Sequence, residues 1–388
     1  MSLSTNCTDK RVKCRVCASD YFKEMLLSYT NMPSSAQGFP ELEDLENDFG
    51  SDLNLFQCSS CGLVQLNNQP VSYYKEVIRA AAFSDEMKEF RSEQFASWVE
   101  KYLLTRKNVI EVGCGRGEYL SILGKAGVGL AHGIEYSEQA VNACRVEGYS
   151  VTKGFFGDKN FTLPESKYDG FVCLNFMEHW PDPNRVLEHL KHNLSEDAVG
   201  IIEVPNFDMI LKKGLYSEFI SDHLLYFTKD TLTFVLNYNG FEVIECSEVW
   251  YDYILSAVVR RRRKTDLSLL GEYRSKIQIE LDSFIDQFGE NKVAVWGAGH
   301  QSLAVMSLAN LSGRIRYVVD SAPFKQNKFT PATHIPIVSP KELKNDPVEA
   351  VIIIAASYSN EVVKIMKNLY GQIGHVAVLE DKGLRIIY

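Results

Sequence analysis

Four cysteines near the N-terminus have the spacing of metal ligands. Cys14 and Cys17 form one Cys-x-x-Cys pair, and Cys58 and Cys61 form a second pair farther along the chain. Zn²⁺ favours four thiolates in a tetrahedron, and each pair offers two sulfur atoms from one tight turn. The spacing predicts a structural zinc site, because four thiolates leave no coordination position open for chemistry. The alternative interpretation is two unrelated thiol pairs or a redox pair.

A glycine-rich turn in the middle of the chain is typical of a nucleotide site. A short, mainly apolar strand predicted at 109–112 leads into Gly113-Cys-Gly-Arg-Gly117, and helix-forming residues follow. Glycines let the backbone pass close to a ligand, and a helix N-terminus offers free N–H groups. A dinucleotide enzyme would carry the same turn, so the pattern predicts a nucleotide cofactor without identifying it.

Two acidic residues favour S-adenosylmethionine as the cofactor. Glu111 lies in the strand before the turn, where we expect it to act indirectly on the amino-acid end of the cofactor. Glu135 ends the next predicted strand, at the position where a carboxylate pairs with ribose hydroxyls. We therefore expect the cofactor to contact Glu135 and the three glycines of the turn, Gly113, Gly115 and Gly117.

Two histidines are candidates for proton transfer. A third predicted strand ends at Asn175, which we assign to the cofactor site, and His179 follows it. His223 stands directly after Asp222 and before an aromatic run. Histidine titrates close to neutral pH, so either side chain could act as a general base. The alternative for each is a hydrogen-bonded loop residue without a chemical role.

Residues 291–388 begin a second strand–turn–helix series. The turn Gly297-Ala-Gly299 follows an apolar strand, and Asp320 ends the next strand. This order predicts a second Rossmann-like unit. Lys325 and Lys328 would suit a diphosphate, and a surface loop is the alternative. If the turn Gly297-Ala-Gly299 binds the main cofactor, the chain is an NAD-dependent oxidoreductase, which is the alternative from another function class. A third possibility is a cofactor-binding protein without catalytic activity.

Length and composition limit the remaining possibilities. A chain of 388 residues with 45% hydrophobic residues is too long for one core and is not disordered. The net charge of −9 argues against binding to nucleic acid, which requires a basic surface. We find no apolar run of membrane-spanning length and no signal peptide, and therefore expect a cytoplasmic protein with no membrane partner. The predicted domains are 1–70, 71–264 with an N-terminal linker helix, and 265–388.

The quoted motifs resemble those of a known family. The residues 111–117, Glu135 and the segment 175–179 resemble the class I, Rossmann-like S-adenosylmethionine methyltransferases. With the paired cysteines and the segment 320–336, the whole chain is similar to the three-domain sugar-nucleotide C-methyltransferases. Known members methylate carbon 3 of deoxy-4-ketohexoses attached to dTDP. The resemblance implies an α/β enzyme with a four-cysteine zinc-binding domain, a methyltransferase domain and a Rossmann-like substrate domain.

The same resemblance implies roles for individual residues. His223, assisted by Asp222, corresponds to the favoured base of the family, and His179 is the weaker candidate. Lys325, Lys328 and His334 lie in the segment similar to the family's C-terminal substrate domain. The implied reaction is base-assisted attack of an enolate carbon on the methyl group.

Departures from the family pattern lie where the sugar would bind. Ile220 stands in place of a tyrosine, and Asp222 stands in place of a glutamate. The aromatic linker segment is represented only loosely by residues 73–79, and residues 249–254 replace a His-Gly-Gly turn. The alternative within the same class is therefore an O-methyltransferase acting on a sugar or another small metabolite. The sequence determines neither the sugar, the nucleotide nor the oligomeric state.

Overall fold

The computed structural model of the protein describes residues 13–76, 84–159, 161–163 and 167–388. Packing divides the chain into two units, Met1–Arg263 and Lys264–Tyr388, and each is described by itself. Within the described ranges, none of the helices combines the length and the apolar character needed to cross a membrane.

The first unit is a mixed α/β structure. Its strands are β1 (Leu27–Met32), β2 (Ser51–Gln57), β3 (Val64–Leu66), β4 (Asn108–Val112), β5 (Leu130–Glu135), β6 (Ser150–Lys153), β7 (Tyr168–Leu174), β8 (Leu194–Pro205), β9 (Leu225–Tyr226), β10 (Phe241–Val249) and β11 (Ile254–Arg261). Its α-helices are α1 (Asp85–Lys101), α2 (Glu118–Lys125), α3 (Glu138–Val146), α4 (Pro183–His192), α5 (Phe207–Lys213) and α6 (Lys229–Tyr238).

The central sheet of the first unit has the strand order β10-β11-β8-β7-β4-β5-β6. Strands β4 to β8 pair in parallel, whereas β11 runs antiparallel to both β8 and β10. Because β4 is flanked by β5 on one side and β7 on the other, the order of the strands reverses at β4. A ligand crevice is expected at the C-terminal ends of the strands at such a switch point.

A smaller sheet carries the N-terminal region. Its order is β1-β2-β3-β9, and Val64 of β3 pairs with Tyr226 of β9. The alternation in β2 buries Leu53 and Leu55, which join the same hydrophobic core as Phe171 of the central sheet. The N-terminal region and the central sheet therefore share one core, and the domain boundary at residue 70 stays a prediction.

Helix α1 corresponds to the linker helix predicted at the N-terminal end of the segment 71–264. It begins after Ser84, whose hydroxyl accepts a hydrogen bond from the backbone N–H of Met87 at 3.1 Å. Residues 77–83 of the predicted linker lie outside the described residues. Arg91 ties the helix to β8 through a fully buried ion pair with Glu203 at 2.6 Å.

The second unit is also built on a seven-stranded sheet. Its strands are β12 (Val293–Trp296), β13 (Val318–Val319), β14 (Lys328–Phe329), β15 (Pro336–Val338), β16 (Ala350–Ile353), β17 (His375–Glu380) and β18 (Gly383–Ile386), and its α-helices are α7 (Ser268–Ile285), α8 (His300–Leu308), α9 (Glu342–Asn345) and α10 (Ser359–Leu369). The order is β14-β15-β13-β12-β16-β17-β18, with β14 and β18 as antiparallel edges of a parallel core. Its assignment as a Rossmann-like substrate domain stays a prediction.

Candidate functional site

A cavity of about 310 Å³ lies at the C-terminal ends of the parallel strands of the first unit. Its wall includes the residue at or directly after the end of β4, β5, β7 and β8, which are Gly113, Glu135, Leu174 and Pro205. This is the position expected for a ligand site at a switch point. The loop between β1 and β2 contributes Ala36 and Gln37, so the N-terminal region also lines the cavity.

The glycine turn is held in place by Glu135. The backbone N–H of Gly115 donates to Oε2 of Glu135 at 2.9 Å, and the N–H of Ser137 donates to Oε1 at 2.9 Å. Gly113 has a φ of +75°, and a Cβ atom there would come within 2.9 Å of the Phe176 ring. The turn therefore needs glycine at this position, both for its backbone conformation and for space.

The structure brings together four of the six residues predicted to bind the cofactor. The lining residues among them are Gly113, Gly115, Glu135 and Asn175. Glu111 is fully buried in β4, and neither it nor Gly117 is among the lining residues. Asn175 has a φ of +48°, and its Oδ1 atom is buried without a hydrogen-bond partner among the described residues. This oxygen is available to accept a hydrogen bond from a ligand.

The two candidate histidines lie side by side in the cavity wall. Their ring centroids are 4.8 Å apart. Nδ1 of His179 lies 2.8 Å from the backbone oxygen of Asp222. Because a carbonyl oxygen can only accept, Nδ1 carries the proton, and Nε2 is left as an acceptor. This Nε2 atom lies 3.8 Å from Oε1 of Glu178.

Burial keeps these three groups uncharged at neutral pH. Desolvation lowers the pKa of His179 to about 4. It lowers the pKa of His223 to about 3, with a further contribution from the neighbouring His179. Desolvation also raises the pKa of Glu178 to about 8, so this carboxyl group is mainly protonated. Neutral imidazoles can accept a proton without losing one first.

The Asp222 carboxylate is held by residues that are distant in the chain. The carboxylate accepts hydrogen bonds from the Tyr73 hydroxyl at 2.9 and 3.0 Å and from the backbone N–H of Ala36 at 3.0 Å. It is thus engaged by the linker segment and by the β1–β2 loop. Burial lowers the pKa of His223 and so disfavours its protonated form.

Three lining or supporting residues were missed by the sequence analysis. Glu178 stands beside the predicted His179, but a single acid in a loop carries no pattern. Tyr73 belongs to the aromatic linker segment. The sequence predicted a substrate contact for this segment but not the hydrogen bond from Tyr73 to Asp222. Trp250 lines the cavity from the turn between β10 and β11, where Trp250, Tyr251 and Asp252 all have positive φ values.

The four predicted metal ligands form one cluster. The Sγ atoms of Cys14 and Cys61 are 3.7 Å apart, and those of Cys17 and Cys58 are 3.4 Å apart. All four sulfur atoms lie within 4.8 Å of one another. Four thiolates at about 2.3 Å from one Zn²⁺ ion would be about 3.8 Å apart in a tetrahedron, so the donor set and its spacing fit zinc.

The predicted substrate residues of the second unit have different surroundings. The ammonium group of Lys325 contacts Asp320 at 3.0 Å and the backbone oxygen of Ala298 at 3.1 Å. Lys328 is exposed on the edge strand β14, and His334 is exposed in the connection to β15. Asp320 therefore binds one of the two lysines that were assigned to a diphosphate.

Comparison with known proteins identifies the class of enzyme. Residues 87–246 match a family described as a methyltransferase domain, and residues 270–379 match a C-methyltransferase C-terminal domain. The chain is an S-adenosylmethionine-dependent methyltransferase. The strand order of the first unit is that of the class I, Rossmann-like methyltransferase fold. Because both matched regions carry methyltransferase families, the oxidoreductase alternative gains no support.

The methyltransferase is similar to several named relatives. It is 22% identical over 387 residues to the C-methyltransferase NovU of Streptomyces niveus, covering 90% of this chain and 91% of the relative. It is 26% identical over 137 residues to the ubiquinone biosynthesis O-methyltransferase of Acinetobacter baylyi, covering 32% of this chain and 57% of the relative. The first similarity spans both units, and the second spans about half the length of its relative.

Among solved structures, one similar protein is the magnesium protoporphyrin IX methyltransferase of Synechocystis PCC 6803 with bound S-adenosylhomocysteine. It is 18% identical, the match covers 48% of this chain and 90% of the other, and the TM-score is 0.37. A methyltransferase from Clostridium acetobutylicum is 13% identical over 49% of this chain and 96% of the other, with a TM-score of 0.39.

The first prediction concerns Glu135. Glu135→Ala should weaken binding of S-adenosylhomocysteine by about 1–3 kcal/mol, because two backbone N–H groups and the ligand hydroxyls would lose a charged acceptor. Isothermal titration calorimetry measures the change. Glu147→Ala, at an exposed position after α3, is the matched control. Equal affinities of the Glu135 variant and the wild-type enzyme would contradict the assignment.

Proposed function

We propose that the enzyme transfers the methyl group to a carbon atom beside a ketone in a nucleotide-linked deoxysugar. The supporting observation is the similarity to a C-methyltransferase over 90% of the chain, together with the match of residues 270–379 to a C-methyltransferase C-terminal domain. O-methylation of a sugar or another small hydroxylated metabolite is the second candidate, supported by the shorter similarity to O-methyltransferases of ubiquinone biosynthesis.

Cofactor binding is assigned to the glycine turn and its neighbours. Gly113 and Gly115 allow close approach, Glu135 would accept from ribose hydroxyls, and Oδ1 of Asn175 would accept from the cofactor's ammonium group. Tyr136 and Ser137, directly after Glu135, line a second cavity of about 780 Å³. This cavity offers room for the remainder of the nucleoside.

His223 is assigned as the general base. S-adenosylmethionine, when bound, supplies an electrophilic methyl group on a sulfonium centre. The neutral His223 ring takes the proton from the carbon beside the ketone, and the C–H electron pair forms the C=C bond of an enolate. This carbon would then accept the methyl group of bound S-adenosylmethionine, the electron pair of the C–S bond would stay on sulfur, and the ketone would reform. The role of the cavity is to orient the reacting carbon and to exclude water.

The second unit is assigned to binding of a nucleotide diphosphate. Lys328 and His334 are exposed there, and Lys325 would share its charge between Asp320 and a diphosphate.

The clustered cysteines fit a reducing compartment, where thiols stay available to a metal ion. This supports the cytoplasm as the location of the enzyme.

A structural zinc ion is assigned to Cys14, Cys17, Cys58 and Cys61. We predict one zinc per chain in protein purified without chelator, and a clear loss of stability in Cys58→Ser, because metal binding contributes to folding. Elemental analysis and thermal unfolding measure the two quantities. Cys246→Ser, outside the cluster, is the control. Absence of zinc, or full stability of Cys58→Ser, would refute this site.

The proposed base is tested by His223→Asn. Turnover should fall by roughly 10²–10⁴, with almost unchanged affinity for S-adenosylhomocysteine, because only the proton acceptor is lost. His179→Asn should cost less, and the exposed His192→Asn should cost nothing. The measurement is methyl transfer to a dTDP-linked deoxy-4-ketohexose. Turnover of His223→Asn within a few-fold of wild type would move the role of base to another group.

A further inference from the structure

Glu178 is a buried acid that the proposed reaction does not yet use. Its side chain is 2% exposed, and it lines the cavity together with His179 and His223. Its Oε2 atom has no hydrogen-bond partner within the described part of the chain. A buried polar atom without a partner is destabilising unless a ligand or water satisfies it. The position of Glu178 in the cavity wall therefore points to a contact with a bound molecule.

The three groups lie close enough together to contact one ligand. Their nitrogen and oxygen atoms lie within 4.8 Å of one another, and the Glu178–His179 pair is separated by 3.8 Å. Two ligands at about 2.1 Å from one zinc ion in a tetrahedron are about 3.4 Å apart. Two groups that hydrogen-bond to one oxygen at about 2.8 Å are about 4.6 Å apart. The observed separation of 3.8 Å lies between these two values, so the types of the groups rather than their spacing decide which ligand fits.

The three groups differ in what they can offer to a carbonyl oxygen. Nδ1 of His179 is used by the backbone oxygen of Asp222, and its Nε2 atom is an acceptor. His223 is assigned to the proton on carbon. A protonated carboxyl group is a donor, and burial that raises the pKa of Glu178 to about 8 keeps it in this form. Other titratable groups of the cavity wall include Asp222, which accepts from Tyr73, and Tyr253, which donates to Glu218. Lys75 and Glu135 also line the cavity.

We propose that Glu178 donates a hydrogen bond to the ketone oxygen of the substrate and stabilises the enolate formed there. The inference rests on the proposed C-methylation. When His223 takes the proton from carbon, the electron pair of the C–H bond forms C=C and the carbonyl π electrons move to oxygen. The O–H group of Glu178 then faces a full negative charge. A donor already fixed in a water-poor cavity stabilises this charge more than it stabilises the neutral ketone.

Glu178→Leu and Glu178→Gln test the proposal as a pair. The leucine variant removes the donor, whereas the glutamine variant retains an N–H donor of similar shape. The enzyme is loaded with S-adenosylhomocysteine and a dTDP-linked deoxy-4-ketohexose in deuterium oxide. Mass spectrometry measures deuterium uptake at carbon, corrected for uptake without enzyme. This readout reports enolate formation without methyl transfer. Thermal unfolding checks the fold, and Glu188→Leu, at an exposed position in α4, is the matched control.

We expect uptake to fall by about 10²–10³ in Glu178→Leu, by about tenfold or less in Glu178→Gln, and not at all in Glu188→Leu. Uptake in a folded Glu178→Leu variant within a few-fold of wild type would overturn the proposal. Equal losses in the leucine and glutamine variants would also overturn it, because a hydrogen-bond donor at this position would then not support enolate formation. Should the wild-type enzyme itself neither exchange nor methylate the ketosugar, the proposed function fails rather than the role of Glu178.

Discussion

The Asp222 carboxylate and backbone connect three parts of the methyltransferase unit around the cavity. The carboxylate accepts from Tyr73 of the linker segment and from the backbone of Ala36 in the β1–β2 loop. Its backbone oxygen fixes the proton of His179 on Nδ1. Ser221 adds a hydrogen bond from its hydroxyl to the backbone oxygen of Pro33 at 2.7 Å. The N-terminal region therefore covers the cavity through hydrogen bonds made directly before His223.

Closure of the cavity explains its electrostatics. Glu178 and His179 are buried, and desolvation acts on the charged form of each group. A histidine that is neutral can serve as a base, and a glutamic acid that is neutral can serve as a donor. One physical cause, the removal of water, thus gives the acid and the base opposite pKa shifts. The cavity therefore holds neutral proton acceptors beside a neutral proton donor.

The sequence predicted the parts of the structure that depend on local patterns. The glycine turn, the paired cysteines and the strands that end near Glu135 and Asn175 follow from spacing and periodicity. The partners of Asp222 did not follow, because they come from Tyr73 and Ala36, which are distant in the chain. The ion pair of Lys325 with Asp320 did not follow for another reason, because it depends on how the short loop between them folds. Glu178 could be recognised as a candidate only from the structure, which shows that its side chain is buried in the cavity wall.

Carbon as the methyl acceptor is the central claim. Its most direct test uses S-adenosylmethionine with a carbon-13-labelled methyl group and a dTDP-linked deoxy-4-ketohexose, and nuclear magnetic resonance then locates the label in the product. The account predicts that the labelled methyl group is bonded to the carbon beside the ketone. A label bonded to oxygen would contradict the account and would establish the O-methyltransferase instead.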